Sequence, residues 1–265
     1  MQEDLVWREI REEVSREARV EPILASFLHA TVLNHDRLED ALSFRLAEKL
    51  ESPNLHAMLL REVIGEALAK SPGISDSVRA DLRAVRQRDP ACTGLCVPLL
   101  YFKGFHALQA YRVSHWLWNE GRVPMALHLQ NRVSEVFAVD IHPAARIGKG
   151  VFIDHGTGVV IGETAVVEDD VSMLHGVTLG GTGKQTGDRH PKVRRGVLLS
   201  AGAGVFGNVE IGEGAKVGAG SVVLSDVPPH TTVVGVPSRV VGRPASDQPA
   251  LEMDQTLPGT GGDGI

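Results

Sequence analysis

The sequence contains few cysteines and no arrangement of them that is typical of a metal site. Its 265 residues include two cysteines, Cys92 and Cys96, with no second pair elsewhere. A structural zinc site usually takes four ligands, from two such pairs or from cysteines and histidines at fixed spacings. We therefore expect ordinary reduced thiols and no bound metal, with a redox or regulatory pair as the alternative.

An excess of positive charge is also missing. The formal net charge is −6, whereas a nucleic-acid binder pairs many lysines and arginines with phosphates. The net charge therefore argues against a general nucleic-acid binder, and a local basic patch remains an alternative.

The sequence shows no signal peptide and no apolar run long enough for a transmembrane helix. The first four residues include two acids and are not followed by the basic and then apolar stretch of a signal peptide. The richest apolar stretch, 97–118, is interrupted by Lys103 and Arg112, so no run of 18 apolar residues exists. The sequence predicts a soluble, cytoplasmic protein that does not bind a membrane.

The first half of the chain has the apolar spacing of helices. Leucine and alanine are mixed with charged residues, and runs of β-branched residues are absent. Apolar residues recur every three or four positions, which indicates amphipathic helices. Besides one near the N-terminus, the predicted helices cover 23–33, 38–50, 57–68, 77–86, 105–118 and 124–137. We interpret residues 1–138 as an all-α domain that serves oligomerisation.

From Ile141 onward the apolar period changes to six. Isoleucine, valine or leucine fills twelve of the thirteen positions reached by steps of six, with a new start at Val193: Ile141, Ile147, Ile153, Val159, Ala165, Val171, Val177, Val193, Leu199, Val205, Ile211, Val217 and Val223. This period is typical of a parallel β-helix, in which three hexapeptides close a coil of about 18 residues. The predicted fold class is therefore α+β, with the helical domain followed by a β-helix over 139–242.

Two segments fall outside this pattern. The step from Val177 to Val193 is much longer than six. One hexapeptide accounts for part of it, and about ten residues are left over, which are expected to leave the β-helix as a loop. Long loops on a rigid scaffold often carry function. The last segment, 243–265, is rich in Asp, Gly and Pro, which predicts a flexible tail.

Several short strings resemble serine O-acetyltransferases. Hexapeptide β-helices occur in many acyltransferases, in some zinc carbonic anhydrases and in structural proteins, so the fold alone does not identify the activity. The resemblance extends from about residue 20 to residue 242. It is carried by RDPA (88–91), KGFHALQA (103–110), VDIHPAA (139–145), DHGTG (154–158), GGTGK (180–184), DRHPK (188–192) and the C-terminal GDGI (262–265).

The resemblance implies a helical N-terminal domain, a left-handed β-helix, and trimers that pair through their N-terminal domains into a hexamer. The left hand departs from the usual crossover rule and rests on the resemblance alone. The implied reaction converts acetyl-CoA and L-serine to O-acetyl-L-serine and CoA, the first step of cysteine biosynthesis from serine. Acetyl-CoA is then a co-substrate, and no permanently bound cofactor is expected.

The resemblance assigns the proton transfer to His155 and Asp140. A neutral histidine is a suitable general base near pH 7 for the serine hydroxyl. His155 matches the family's catalytic histidine, and Asp140 matches the carboxylate that orients it. Their separation is close to one coil of about 18 residues, which would place both near one corner on successive coils. Without the motif, a lone histidine at such a corner would be an ordinary solvated residue.

Serine is a zwitterion, so its site needs groups of both charges. The resemblance assigns Asp89 and Asp154 to the ammonium group, and Arg189 and His190 to the carboxylate. A planar guanidinium can donate two parallel hydrogen bonds to a carboxylate. As alternatives, Arg189 and His190 would be a solvated basic loop and Asp89 a residue that ends a helix.

The acetyl-CoA arm is expected along small residues of the β-helix. Gly181 and Thr182 lie where bulky side chains would block its approach, and Ala201, Ala219 and Lys216 would continue that slot, with Lys216 near a phosphate. The alternative is that glycine and alanine simply form the corners of the coil.

The C-terminus resembles the family segment that inserts into the active site of O-acetylserine sulfhydrylase. A free carboxylate on a flexible arm with one apolar anchor, Ile265, is a known mode of recognition. The alternative is a tail without a partner. L-cysteine, in which a thiol replaces the hydroxyl of serine, is the expected feedback inhibitor.

Other activities fit part of the pattern. A sugar or nucleotide-sugar acetyltransferase would share the repeat and the catalytic histidine, but it does not need the four charged serine-site residues. A zinc carbonic anhydrase would need three histidines, and His155, His175 and His190 are available. The two intervals between these histidines are unequal and do not match in coil register. A purely structural β-helix would leave the loop unexplained.

Overall fold

The structure is a computed structural model that describes residues 4–183 and 186–257. Within those residues, eight helices precede position 138, and short strands and one short helix follow it. The helices are α1 (Leu5–Val20), α2 (Ala25–Leu28), α3 (Leu38–Leu50), α4 (Ala57–Lys70), α5 (Pro72–Arg88), α6 (Cys96–Tyr101), α7 (Lys103–Asn119) and α8 (Val123–Phe137). A 3₁₀ turn at Pro22–Leu24 and a π turn at His29–Leu33 flank α2.

The helix predictions agree with the structure except near residue 23. Helices α3, α4, α5, α7 and α8 confirm the predicted segments, and α5 begins earlier, at Pro72, where a proline suits the first turn. The predicted helix over 23–33 consists instead of the 3₁₀ turn, α2 and the π turn. Proline lacks the N–H group that would continue α1, and Pro22 begins a new turn.

The second half is a β-helix of three parallel sheets. Its strands are β1 (Val139–Ile141), β2 (Arg146–Ile147), β3 (Phe152–Ile153), β4 (Val159–Ile161), β5 (Val166–Val167), β6 (Ser172–Met173), β7 (Thr178–Gly180), β8 (Lys192–Val193), β9 (Leu198–Leu199), β10 (Gly204–Phe206), β11 (Glu210–Ile211), β12 (Lys216–Val217), β13 (Val222–Val223), β14 (Thr232–Val234) and β15 (Arg239–Gly242). The sheet orders are β1-β4-β7-β10-β13, β2-β5-β8-β11 and β3-β6-β9-β12-β14-β15. All pairs are parallel except β14 with β15. The predicted α+β architecture is thus confirmed; the hand of the coil stays a prediction.

The coils differ in length, and the first differs from the sequence prediction. Val139 pairs with Val159, whereas Val160 pairs with Thr178. The number of residues from one strand to its partner in the next coil is therefore larger by two in the first coil than in the second. Two extra residues therefore lie in the corner between β3 and β4. Steps of six missed them because each of these sides has two inward positions two residues apart, such as Val159 with Ile161 and Val177 with Leu179. Val159 and Val177 occupy the first of these positions and are fully buried.

The loop between β7 and β8 is correspondingly shorter than expected. Val166 pairs with Lys192, and Lys192 pairs in turn with Glu210. The first of these intervals exceeds the second by eight positions, so the loop adds eight residues to a coil rather than ten. The difference arises because the predicted loop length is counted from Val177, whereas the residue of β7 that corresponds to Val193 is Leu179. The loop lies directly after β7, on the corner that joins the first and second sheets.

The described part of the predicted tail is packed against the β-helix. A short helix, α9 (Pro249–Glu252), contacts β6, β9 and α5. The carbonyl oxygen of the buried Ala250 accepts a hydrogen bond of 2.7 Å from Ser172 Oγ. Residues 243–257 thus differ from a freely flexible segment because they bury apolar and polar groups on the third sheet.

A buried polar network joins the helical region to the first coil. The Asp81 carboxylate accepts hydrogen bonds from Arg112, from Gln109 and from the backbone N–H of Val151. Complete burial raises the pKa of Asp81, while Arg112 opposes that rise. Loss of Arg112 would leave an unpaired buried carboxylate, which costs several kcal/mol. Among the described helices, none combines the length and the apolar character needed to cross a membrane.

Candidate active site

His155 lies on the corner between β3 and β4, which with the stacked residue His175 we call the base corner (residues 154–158 and 175). Its φ of 57° is in the left-handed region, which is uncommon for a residue other than glycine. The side chain is 71% exposed, and its Nε2 atom lies 3.6 Å from Asp154 Oδ2. The two extra residues of the first coil therefore lift an imidazole out of the coil surface.

The N-terminus of α7 fixes the backbone of the base corner. A Cβ atom on Gly104 would lie 2.1 Å from the carbonyl oxygen of Ile153, and one on Gly156 would lie 3.1 Å from Gly104 Cα. Lys103 donates a hydrogen bond to the hydroxyl of Thr157. This close approach accounts for Gly104 in the KGFHALQA string. The contacts of Lys103 and Gly104 fix the backbone on both sides of His155.

Two acidic side chains, Asp154 and Asp89, interact electrostatically at this corner. Burial raises the pKa of Asp154, and the negative charge of Asp89 adds to the rise, while His155 and His175 oppose it. Of the two predicted ammonium-binding residues, Asp154 lies beside the predicted base, and Asp89 is close enough to Asp154 to influence its pKa. The ring centroids of His155 and His175 are 5.8 Å apart.

His175 belongs to this corner because of the coil register. The sequence indicated it only as a candidate zinc ligand. In the structure Ile153 pairs with Met173, and His155 and His175 each follow their member of this pair by two positions. The longer first coil therefore stacks one histidine directly on the other.

Arg189 and His190 lie at the next corner, where the loop leaves the β-helix. We call this the binding corner (residues 162–164 and 187–190). Thr164 Oγ1 accepts hydrogen bonds from the backbone N–H groups of Arg189, at 3.0 Å, and His190, at 3.1 Å. Glu163 accepts a bond of 2.6 Å from the Arg189 guanidinium, and this bond lowers the pKa of Glu163. The sequence did not indicate Glu163 or Thr164, since each acts on a residue that is distant along the chain.

His190 is held as a neutral hydrogen-bond donor. The backbone N–H of Thr164 donates to its Nδ1 atom at 3.2 Å, so the proton of the neutral ring resides on Nε2. Burial, with the positive charge of Arg189, lowers the pKa of His190. The ring packs against Gly162, where a Cβ atom would be 2.1 Å from Nε2. If these two residues bind a carboxylate as predicted, Arg189 would supply the charge and His190 an N–H group.

Asp140 lies outside the base corner of its own chain. Its Oδ1 atom accepts a hydrogen bond of 2.7 Å from Gln130 Nε2. In the described part of the chain, its carboxylate has no hydrogen bond or ion pair with His155. The predicted adjacency assumed that all coils have one length, whereas Asp140 pairs in register with Val160 in the middle of a side.

The predicted acetyl-CoA residues fall in three places. Ala201 and Ala219 stack below His175, because the N–H of Gly202 donates to the carbonyl of His175 and the N–H of Gly220 to that of Ala201. Gly181 and Thr182 lie beside the binding corner instead. Lys216 is on the third sheet, where its ammonium group donates to the carbonyl of Thr256 at 2.5 Å and burial lowers its pKa. Ile265 lies outside the described residues.

The zinc alternative finds no support in this geometry. His155 and His175 are neighbours at the base corner, but His190 lies at the binding corner with Nδ1 bonded to Thr164. Across residues 4–183 and 186–257, no three histidine, cysteine, aspartate or glutamate side chains are grouped closely enough to hold a metal ion. Both cysteines are buried, and burial raises the pKa of each thiol.

The two corners are at opposite ends of one side of the coil, the side formed by β4. A side has about six residues, which span roughly 20 Å in extended conformation. A serine molecule is much smaller than this distance. One chain therefore presents the acids and the base in one place and the arginine and histidine in another.

Comparison with known proteins identifies serine acetyltransferases as relatives of this chain. Residues 6–110 match the family model described as "Serine acetyltransferase, N-terminal". The serine acetyltransferase of Salmonella typhimurium is 59% identical over 256 residues, which are 97% of this chain and 94% of the relative. That of Escherichia coli is 58% identical over 267 residues, or 99% of this chain and 98% of the relative.

Solved structures of similar proteins have the same fold. The serine acetyltransferase of Vibrio cholerae is 59% identical, with a TM-score of 0.95 over 96% of this chain and 98% of that one. One from Brucella abortus in complex with coenzyme A is 52% identical, with a TM-score of 0.90 over 91% and 97%. A soybean serine acetyltransferase complexed with serine is 58% identical, with a TM-score of 0.87 over 89% and 98%. A serine acetyltransferase in complex with cysteine is 54% identical, with a TM-score of 0.93 over 95% and 98%.

Proposed function

The chain belongs to the serine acetyltransferase family, and from that premise we propose that it transfers the acetyl group of acetyl-CoA to the hydroxyl of L-serine. The observation that supports this proposal best is that the base corner and the binding corner, at the two ends of the side formed by β4, carry complementary groups. One holds two carboxylates and an exposed histidine; the other holds a guanidinium and a directed imidazole N–H. A zwitterion with a reactive hydroxyl needs both sets. Relatives that bind coenzyme A and serine support the same substrates.

In this proposal His155 acts as the general base. Its ring takes the proton of the serine hydroxyl as that oxygen bonds to the acetyl carbon. The carbon–sulfur bond then breaks, and the sulfur of CoA leaves with the proton returned by His155. Asp89 and Asp154 hold the serine ammonium group, while Arg189 and His190 hold its carboxylate. The products are O-acetyl-L-serine and CoA.

We further propose that the site is completed by a second copy of the chain. The two clusters of one chain are too far apart for a single serine, so the base corner of one copy would face the binding corner of its neighbour. Asp140 lies outside the base corner of its own chain and would orient the His155 of a neighbouring copy. Three copies around one axis give three such sites, and pairing of trimers into a hexamer follows the family resemblance.

The acetyl-CoA arm would run down the column of small residues below His175. Ala201 and Ala219 stack there, and the glycines that follow them, Gly202 and Gly220, have positive φ. Gly181 and Thr182 of the neighbouring copy would form the other wall. Lys216 reaches a phosphate only after its bond to the carbonyl of Thr256 is released.

Two further partners complete the proposal. L-cysteine would occupy the serine site as a feedback inhibitor, in keeping with a relative that binds cysteine. The product would pass to O-acetylserine sulfhydrylase, which would recognise the C-terminal Ile265 in cysteine biosynthesis.

The test is an acetyl-CoA assay with serine, threonine and a sugar acceptor in parallel. Release of the CoA thiol should depend on serine and should be much slower with the other two acceptors. Release that depends on the sugar rather than on serine would contradict the proposal.

A further inference from the structure

The carboxylate of Asp140 is held by a side chain of the helical region. Gln130, on α8, donates a hydrogen bond of 2.7 Å from Nε2 to Asp140 Oδ1. We infer that Gln130 is a positioning residue for the reaction: it fixes Asp140 so that the second carboxylate oxygen is free to orient the catalytic imidazole. This inference rests on the proposed function, in which Asp140 orients the general base.

The chain path brings these two residues together. Helix α8 ends at Phe137, and Ala138 adopts a left-handed conformation with φ 55° that turns the chain into β1. Strand β1 then packs against α8. Gln130 lies in the middle of that helix and next to the fully buried Leu129, so its amide is carried on a fixed part of the helix.

A neutral amide suits this place better than a cation. Glutamine donates one N–H to one oxygen and brings no charge, so the carboxylate keeps its negative charge for an imidazolium. An arginine or lysine would pair with that charge and weaken its effect on the histidine. Within residues 4–183 and 186–257, Asp140 has no ion pair, and Gln130 is its side-chain partner.

The neighbouring residue provides a matched control. Asn131 is also an amide on α8, and it donates at 2.8 Å to Glu135 on the exposed surface. Replacing it removes a hydrogen bond of the same kind from the same helix, one residue away, without touching Asp140. A loss that comes from weakening α8 would therefore appear in both variants.

The experiment is a double-mutant cycle on the full chain, with Gln130→Leu, Asp140→Asn and the double variant. Gln130→Leu should lower kcat about 10-fold, the scale of one hydrogen bond to a charged group. Both KM values should stay within about twofold, because the residue touches neither substrate. In the Asp140→Asn background, Gln130→Leu should have no further effect, since the carboxylate through which it acts is gone.

Each result has a distinct meaning. Equal loss of kcat from Gln130→Leu in both backgrounds, or an equal loss in Asn131→Leu, would overturn the inference. So would a Gln130→Leu variant with unchanged kcat while Asp140→Asn is impaired. If Asp140→Asn itself kept full turnover, the proposed role of Asp140 would be wrong, and absence of serine acetylation in the unaltered protein would refute the function. Gln130→Met, an unbranched chain without a donor, replaces Gln130→Leu if that variant does not assemble.

Discussion

The base corner and the binding corner differ in how much of each is finished within one chain. At the binding corner, His190 is 7% exposed and Thr164 and Glu163 hold it and Arg189 in place. At the base corner, His155 is 71% exposed, and Asp154 at 3.6 Å is its charged neighbour. The binding corner is therefore ordered within one chain, whereas the proposed base at the other corner is exposed and, in the proposed assembly, would be completed by groups of a neighbouring copy.

This difference follows from the demands of the two tasks. A carboxylate is best bound by donors that do not have to reorganise, and the loop residues are anchored before substrate arrives. A general base must reach both the hydroxyl and the thioester, so in the proposed site it would lie where the two substrates and a second copy meet. The left-handed backbone conformation of His155 goes together with its exposed side chain. Backbone strain of this kind is tolerated where the surrounding contacts fix the conformation.

The largest effect should come from removing the base. His155→Ala should lower kcat by about 10²- to 10⁴-fold, the usual contribution of a positioned general base. His56→Ala, at an exposed histidine of the helical region, is the control and should retain full turnover. The measurement is CoA release at saturating substrates, together with the oligomeric state of the variant. Near-normal turnover in an intact oligomer would remove the distinction between the two corners.

A mixing experiment tests whether the corners work across copies. Co-expression of a His155→Ala chain with an Arg189→Ala chain, each inactive at low serine, should restore activity to about a quarter of the unaltered level, because random assembly pairs intact corners at that frequency. Each variant assembled with itself is the control. If both corners act within one chain, the mixture will show no recovery beyond the sum of the two variants.

A smaller effect should follow from loosening the binding corner. Thr164→Val removes the hydroxyl that accepts the N–H groups of Arg189 and His190, and the KM for serine should rise about 10-fold. The KM for acetyl-CoA should change little. Thr164→Ser keeps the hydroxyl and should behave nearly as the unaltered protein. If Thr164→Val and Thr164→Ser had equal KM values for the substrate serine, the hydroxyl of residue 164 would not hold the binding corner in place.

Much of the fold could be predicted from the sequence because it follows from short repeats. The period of three to four in α3, α4 and α8 and the period of six after Ile141 each fix which residues face inward. The longer first coil could not be predicted in this way, because Val159 and Val177 are also apolar and buried and so conceal the two-residue insertion. The tail was interpreted from composition, which does not reveal that Ala250 is buried against the third sheet.

The candidate site was only partly visible for the same reason. His155, Asp154 and Arg189 stand in strings that carry recognisable chemistry. Thr164 and Gln130 act on residues brought close by a loop and by a helix–strand turn, and their own strings contain no signal. The distance from Asp140 to His155 along the chain does not predict their placement, because the first coil is longer than the regular coil and Asp140 lies in the middle of a side.

The sequence by itself determined the repeat, the helical half and the chemical types available for the reaction. The tertiary structure decided which of them meet, because insertions at corners change the stacking of successive coils while the inward pattern remains the same. Hydrogen bonds between distant residues, such as those of Thr164 to the loop and of Gln130 to Asp140, then set the orientation of the polar groups. Periodicity fixes which way a side chain faces, and only the folded chain fixes its neighbours.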